Sequence, residues 1–349
     1  MATVTTAVRF AILLMLTSLF ASQAVTAQTK SLRARDLGIS LDGTPGPNSA
    51  ITDVAGVEVG CVTLIRGRGK HVTGEGPVRT GVAAILPRSR ATLEPVFAAF
   101  YSGNGNGDMT CTHWIEESGL LETPIMITNT LSVGTVRDAV VDWMVKRNAP
   151  GPFWYPVVAE PSDGGLNDMK GLHVKPEHAF QALEYARGGV VAEGNVGGGT
   201  GMNCHGFKGG IGTASRKLIS TDGDYMDGVL VQCNYGSRSQ LRIAGIPVGR
   251  GITGVDRCVT QTMDPPVRAS NGSALPVCAS NPKDMAAEDP EQGSIIIVLA
   301  TDAPLSPDQL KRVVRRVALG MGRMGSVNGN GSGDIFSAFS AANCGADWG

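Results

Sequence analysis

The chain has 349 residues, 42% of them hydrophobic and 17% charged, with a formal net charge of −1. That length holds one large domain or two ordinary ones around a sizeable core. The balanced charge gives no electrostatic case for nucleic acid or a membrane surface as a partner. Glycine stands out with 47 residues, about twice average usage. The glycines cluster between apolar runs without a repeat, which reads as tight turns and close backbone approaches.

Taken in chain order, Arg9 precedes an apolar run from Phe10 to Phe20, with small residues after it. Eleven apolar-dominated residues are too few to span a bilayer, so residues 1–27 read as a signal peptide rather than a membrane helix. Val25-Thr26-Ala27 is an acceptable signal-peptidase site, and Ser22-Gln23-Ala24 a weaker one. The mature chain is expected to start near Gln28 in an oxidising compartment, periplasmic or extracellular.

Residues 43–60 read as a loop followed by strand-like alternation. Strands are expected at Val82–Leu86, Ile125–Thr128, Tyr155–Ala159 and Val229–Cys233, with a further one at Ile246–Gly249. Helices are expected at Val136–Arg147 and His178–Ala186, and glycine-rich loops at 102–108 and Gly194–Gly201. Residues 250–292 turn polar and rich in Pro, Asn, Ser and Asp, as a long exposed loop does. Ser294–Ala300 is an uninterrupted, largely β-branched apolar run, the pattern of a strand buried on both faces. A helix follows, with Ser306 as N-cap, Pro307 at its first position and Asp308 in its first turn. Leu310, Val313, Val314, Val317, Ala318 and Met321 share its apolar face, and Gly325 lies beyond its end. Mixed strands and helices place the chain in the α/β or α+β class, in layers.

The seven cysteines (Cys61, Cys111, Cys204, Cys233, Cys258, Cys278 and Cys344) are scattered and odd in number, unlike a disulfide framework. Cys258 and Cys278 bracket a polar stretch in which a bond between them is one reading, and buried free thiols are the other. No CxxC or HExxH occurs, so no zinc site and no cofactor is expected.

Two local patterns carry chemistry. At Gly293–Ser294 a polar loop feeds directly into a buried strand. A strained Gly293 would open its carbonyl to the Ser294 hydroxyl, and an N→O acyl shift followed by hydrolysis would cut the chain there. The freed α-amine, with a reference pKa near ~8, then serves Ser294 as general base. A plain Gly-Ser turn into a core strand fits the same residues. The second pattern, Gly325–Asp334, brings backbone N–H groups, a hydroxyl and an acid together. It lacks the lysine of a phosphate loop, and a turn-rich loop is its bland reading.

In order, the chain carries Arg33-Ala-Arg-Asp-Leu-Gly, Asn48–Gly60 and Gly103–Gly119 with Thr112-His-Trp-Ile-Glu-Glu-Ser-Gly. Then come Pro156–Asp168, Gly197-Gly-Gly-Thr-Gly-Met, Gly206-Phe-Lys-Gly-Gly-Ile-Gly-Thr-Ala-Ser-Arg and Val231-Gln-Cys-Asn-Tyr-Gly. The last are Gly293-Ser-Ile-Ile-Ile-Val-Leu-Ala-Thr-Asp-Ala-Pro-Leu and Gly329-Asn-Gly-Ser-Gly-Asp-Ile. This ordered set resembles the self-processing L-aminopeptidase/D-esterase-amidase and β-peptidyl aminopeptidase family. The resemblance implies a four-layer αββα sandwich, connected differently from the N-terminal-nucleophile hydrolases. It implies one catalytic domain over 28–349, cut into a long fragment 28–293 and a short fragment 294–349. It places the nucleophile on Ser294, its supporting serine and acid on Ser332 and Asp334, the amine-binding acid on Glu160 and an oxyanion amide on Asn234. Ser162 stands where related enzymes usually carry a second oxyanion donor, a tyrosine. Trp114 either lines the substrate pocket or is an ordinary half-buried aromatic. Homo-oligomers of cleaved pairs are expected, acting on short peptides, amides or esters. Family members continue into further helices, whereas this chain stops 15 residues after Asp334, so its short fragment reads as C-terminally truncated. Two rival functions are an ornithine acetyltransferase-like acyl transferase, disfavoured by the serine and the leader, and a non-catalytic relative that binds amines or peptides.

Overall fold

The computed structural model describes residues 32–252, 258–259, 277–278 and 292–342. The N-terminal segment read as a signal peptide, most of the 250–292 segment and the last seven residues lie outside the described residues. The chain divides into two units, 1–41 and 42–349. The described part of the first is a short turn in which the Leu37 N–H donates to the Arg33 carbonyl.

The second unit carries the strands β1 (Glu58–Arg66), β2 (Val78–Leu86), β3 (Val96–Gly105), β4 (Leu120–Leu121), β5 (Ile125–Ile127), β6 (Val157–Ala159), β7 (Asn203–Cys204), β8 (Phe207–Lys208), β9 (Gly210–Lys217), β10 (Met226–Asn234), β11 (Cys258–Val259), β12 (Val277–Cys278), β13 (Gln292–Thr301) and β14 (Gly331–Ser340). Its helices are α1 (Thr112–Ser118), α2 (Val133–Lys146), α3 (Pro176–Glu184), α4 (Pro307–Val314) and α5 (Val317–Met324). Among the described residues, one sheet has the order β1-β2-β5-β6 and a second the order β4-β3-β14-β13-β10-β9.

Three cores fill the gaps between four layers. Ile85, Ile127, Ile296, Val298, Ile335 and Phe339 belong to the core between the sheets. Val82, Ala84 and Met126, from the other face of the first sheet, pack against Val136, Val140, Trp143 and Leu183 of α2 and α3. Ile295, Ile297, Leu299 and Phe336 pack against Leu310, Val314 and Met321 of α4 and α5. Alternation along β13 therefore feeds two cores, which is why its sequence is apolar throughout. The expected αββα sandwich is the observed one.

Some expectations need correction. Residues 102–105 extend β3, and 331–334 open β14, because both stretches join the ladder of the second sheet. Ile246–Gly249 forms no strand; Ile246 makes an isolated bridge to Ile243, and a 3-10 turn spans Val248–Arg250. The helix expected from Ser306 breaks into α4 and α5 around Arg315-Arg316. Its start is as read: Ser306 Oγ accepts from the Gln309 N–H, and Gln309 Oε1 accepts from the Ser306 N–H. Gly325, at φ +103°, caps the end of α5. Cys204 and Cys233, for which no pairing was expected, are joined in a disulfide. β11 sets Cys258 opposite Cys278 of β12, but their side chains lie outside what is described.

Candidate active site

Ser294 is the third residue of β13 and is 4% exposed. The ladder fixes its neighbours: Asn234 of β10 lies opposite it on one side, and Gly333 of β14 on the other. The preceding Gly293 has φ +129°, a conformation that side chains rarely adopt. A Cβ there would also stand 1.9 Å from the Asn234 carbonyl oxygen, so only glycine fits. The Ser294 hydroxyl donates to the Gly293 carbonyl oxygen at 2.6 Å. The nucleophile candidate thus sits against the bond that the sequence marks for cutting.

Ser332 lies beside Gly293 in the parallel ladder, and Asp334 beside Ile295. Both are fully buried, and Ser332 Oγ donates to Asp334 Oδ1 at 2.6 Å. By strand alternation this pair takes the face of Ile295 and Phe336, whereas Ser294 shares the face of Ile296. In the uncut chain the pair therefore flanks the Gly293–Ser294 bond from the neighbouring strand rather than holding the Ser294 hydroxyl.

Glu160 follows β6 and is 3% exposed. Its Oε1 accepts from the Asp108 N–H at 3.0 Å, and its Oε2 accepts from the Thr130 hydroxyl. Burial pushes its carboxyl above the usual glutamate range, against the pull of the Thr130 and Asp108 hydrogen bonds. Glycines let it approach the strand neighbour of Ser294. A Cβ on Gly107 would lie 3.3 Å from Glu160 Oε1 and 3.3 Å from Gly333 Cα. One on Gly333 would lie 2.3 Å from the Asn106 carbonyl oxygen. The 103–107 segment is tied down on the other side by Asn104 Nδ2 to the Gly329 carbonyl and Asn106 Nδ2 to the Gly331 carbonyl. Glu160, Gly107, Gly333 and Ser294 thus form a continuous run of contacts between the sheets.

The remaining predicted residues are placed as follows. Asn234 Oδ1 accepts from the Asn203 N–H at 2.8 Å. The Ser162 hydroxyl turns toward Met169 Sδ and the Gly164 N–H. Trp114, on α1, packs its ring 5.9 Å from that of Tyr155. A cleft of about 400 Å³ runs from Asp108 past Thr110 and His113 to Tyr155 and Arg137. Asp108 lies in a quoted motif, yet its part as a backbone donor leaves no mark on residue type. Thr130 and the Cys204–Cys233 bond carried no sequence signal.

A buried serine at a strand start, on a strained glycine and joined through Gly333 and Gly107 to a buried carboxylate, belongs with the serine-type aminopeptidases of the N-terminal-nucleophile kind. Comparison with known proteins agrees. Peptidase family S58 matches residues 49–347, and the chain belongs to that family. It is 54% identical over 318 residues to the beta-peptidyl aminopeptidase BapA of Sphingosinicella microcystinivorans, covering 91% of this chain and 76% of the relative. It is 46% identical over 332 residues to the BapA of Sphingosinicella xenopeptidilytica, covering 94% and 78%. Among solved structures, a Burkholderia sp. beta-aminopeptidase superposes with TM-score 0.76 at 45% identity, over 90% of this chain and 79% of that one. The L-aminopeptidase D-Ala-esterase/amidase of Ochrobactrum anthropi, described as a prototype serine aminopeptidase and a variant of the Ntn hydrolase fold, superposes with TM-score 0.75 at 43% identity, over 90% and 79%.

Proposed function

We propose that this aminopeptidase is exported, cuts itself between Gly293 and Ser294, and then removes N-terminal residues from short peptides, amides or esters. The observation that carries the reading is the Ser294 hydroxyl on the carbonyl of a glycine held at φ +129°. In the cut, Ser294 Oγ bonds to the Gly293 carbonyl carbon, the Gly293–Ser294 C–N bond breaks, and the hydroxyl proton passes to the nitrogen. Water then hydrolyses the ester, leaving a Gly293 carboxylate and a Ser294 with a free α-amine. Neighbouring strands are only about 4.8 Å apart, which brings that amine within reach of the Ser332–Asp334 pair. The products are a long fragment ending at Gly293 and a short one starting at Ser294.

In turnover, Glu160 pairs with the substrate's ammonium group and so measures the distance to the scissile carbonyl. The Ser294 amine takes the hydroxyl proton as Oγ attacks, and the Asn234 N–H stabilises the developing oxyanion. The leaving amine carries the proton away, and water releases the acyl group. β-Aminoacyl substrates are the favoured class, because relatives at 54% and 46% identity are named β-peptidyl aminopeptidases. The resemblance also supports homo-oligomers of cleaved pairs, which sedimentation of the cleaved protein tests. One observation favours a non-catalytic amine binder instead: Ser162 faces Met169.

Intact mass and N-terminal sequencing decide between them. A fragment beginning Ser-Ile-Ile-Ile-Val, lost in S294A together with hydrolysis of β-aminoacyl p-nitroanilides, is the expected result. A single uncut, inactive chain overturns the reading.

A further inference from the structure

The hairpin carrying β7 and β8 is strapped to the end of β10. Cys204 and Cys233 are joined by a disulfide, their Cα atoms 5.7 Å apart. On either side of it, the Asn203 N–H donates to Asn234 Oδ1 and the His205 N–H to the Tyr235 carbonyl, each at 2.8 Å. The pairing of β10 with β9 ends at Cys233, so among the described residues Asn234 has a ladder neighbour only in Ser294. Asn234 therefore sits at a strand end that the β9 ladder does not reach, held from the far side by the disulfide-linked hairpin. Strand ends open more readily than strand centres, and a misplacement of about 1 Å in a catalytic donor can cost 10²-fold in rate.

We propose that the Cys204–Cys233 disulfide is a positioning pair that fixes the Asn234 amide beside Ser294, so that full turnover requires the oxidised chain. The inference rests on the oxyanion role given to Asn234. The two thiols form the bond by exchange with a disulfide-bearing oxidant, which takes up two electrons and two protons and ends as a dithiol. Dithiothreitol reverses this, ending as its own cyclic disulfide. Activity is then coupled to export, since the bond persists only in an oxidising compartment. Cys61 and Cys111 do not compete for exchange, because burial pushes each thiol up to about 12.

The test uses the processed wild-type enzyme with a β-aminoacyl p-nitroanilide, assayed as isolated, after dithiothreitol and after reoxidation. Alkylation and peptide mass mapping follow the state of Cys204 and Cys233. Opening this bond is expected to lower kcat about tenfold with KM within about twofold, and reoxidation to restore it. C233A should show the low kcat from the start and ignore reductant, whereas C258S/C278S should respond as the wild type does. Unchanged kcat with the bond open, a change in KM alone, or a loss that tracks the unfolded fraction overturns the inference and leaves the functional reading standing. An oxidised enzyme without turnover overturns both.

Discussion

In the role proposed for it, Glu160 sets a pH range for substrate binding. Its carboxylate must be charged to hold an ammonium group, yet burial raises its pKa against the Thr130 and Asp108 hydrogen bonds. Substrate binding is therefore expected to fade at a higher pH than for an ordinary glutamate, seen as an acidic limb of kcat/KM displaced upward. The folded state keeps this proton to higher pH than the unfolded chain does. Its share of stability is full below the unfolded value and is lost as pH rises through the folded one. E160Q should accordingly raise KM tenfold or more, from a lost charge-assisted bond of about 1.5–3 kcal/mol, without lowering Tm at neutral pH. A lower Tm with unchanged KM would make Glu160 a structural carboxylate. At Gly293, an added Cβ meets both a positive φ and the Asn234 carbonyl oxygen at 1.9 Å. G293A is expected to leave the chain uncut, as read by intact mass.

Among the elements, β14 joins the two halves of the site. Its Gly333 stands opposite Ser294 and against the Asn106–Gly107 segment next to Glu160. G333A would set a Cβ 2.3 Å from the Asn106 carbonyl oxygen, pushing the Glu160 cradle away from the nucleophile. A fall in kcat/KM of about 10²-fold, with α4 and α5 still packed by circular dichroism, is expected. Wild-type kinetics would show that this approach does not set the site. The sequence carried β13 plainly, since both its faces are buried and nothing polar interrupts it. It hid the start of β14, because Gly331-Ser-Gly-Asp looks like a loop and becomes strand only by pairing with β13 and β3. The break between α4 and α5 was equally hidden, since Val317 and Met321 continue the apolar face across it.

At the scale of the whole molecule, the described sandwich is closed by one disulfide across 29 residues of sequence. A loop of that length removes roughly 3–4 kcal/mol of unfolded-state freedom. Reduction is therefore expected to lower Tm by several degrees, measured by calorimetry in the same samples used for kcat. An unchanged Tm would mean that the unfolded chain is not restrained by this link. The sequence by itself determined the mixed α/β class, the Gly293–Ser294 junction and the ordered residues of the family, because residue types and apolar periodicity are local properties of the chain; the αββα layering was implied only by the family resemblance. Only the tertiary structure decided that Glu160 reaches the neighbour of Ser294 through Gly107, that Ser332 and Asp334 take the opposite face in the uncut chain, and that Cys204 meets Cys233. Those facts depend on strand register and on the approach of segments distant in sequence, and ladder pairing sets them rather than the identity of any one residue.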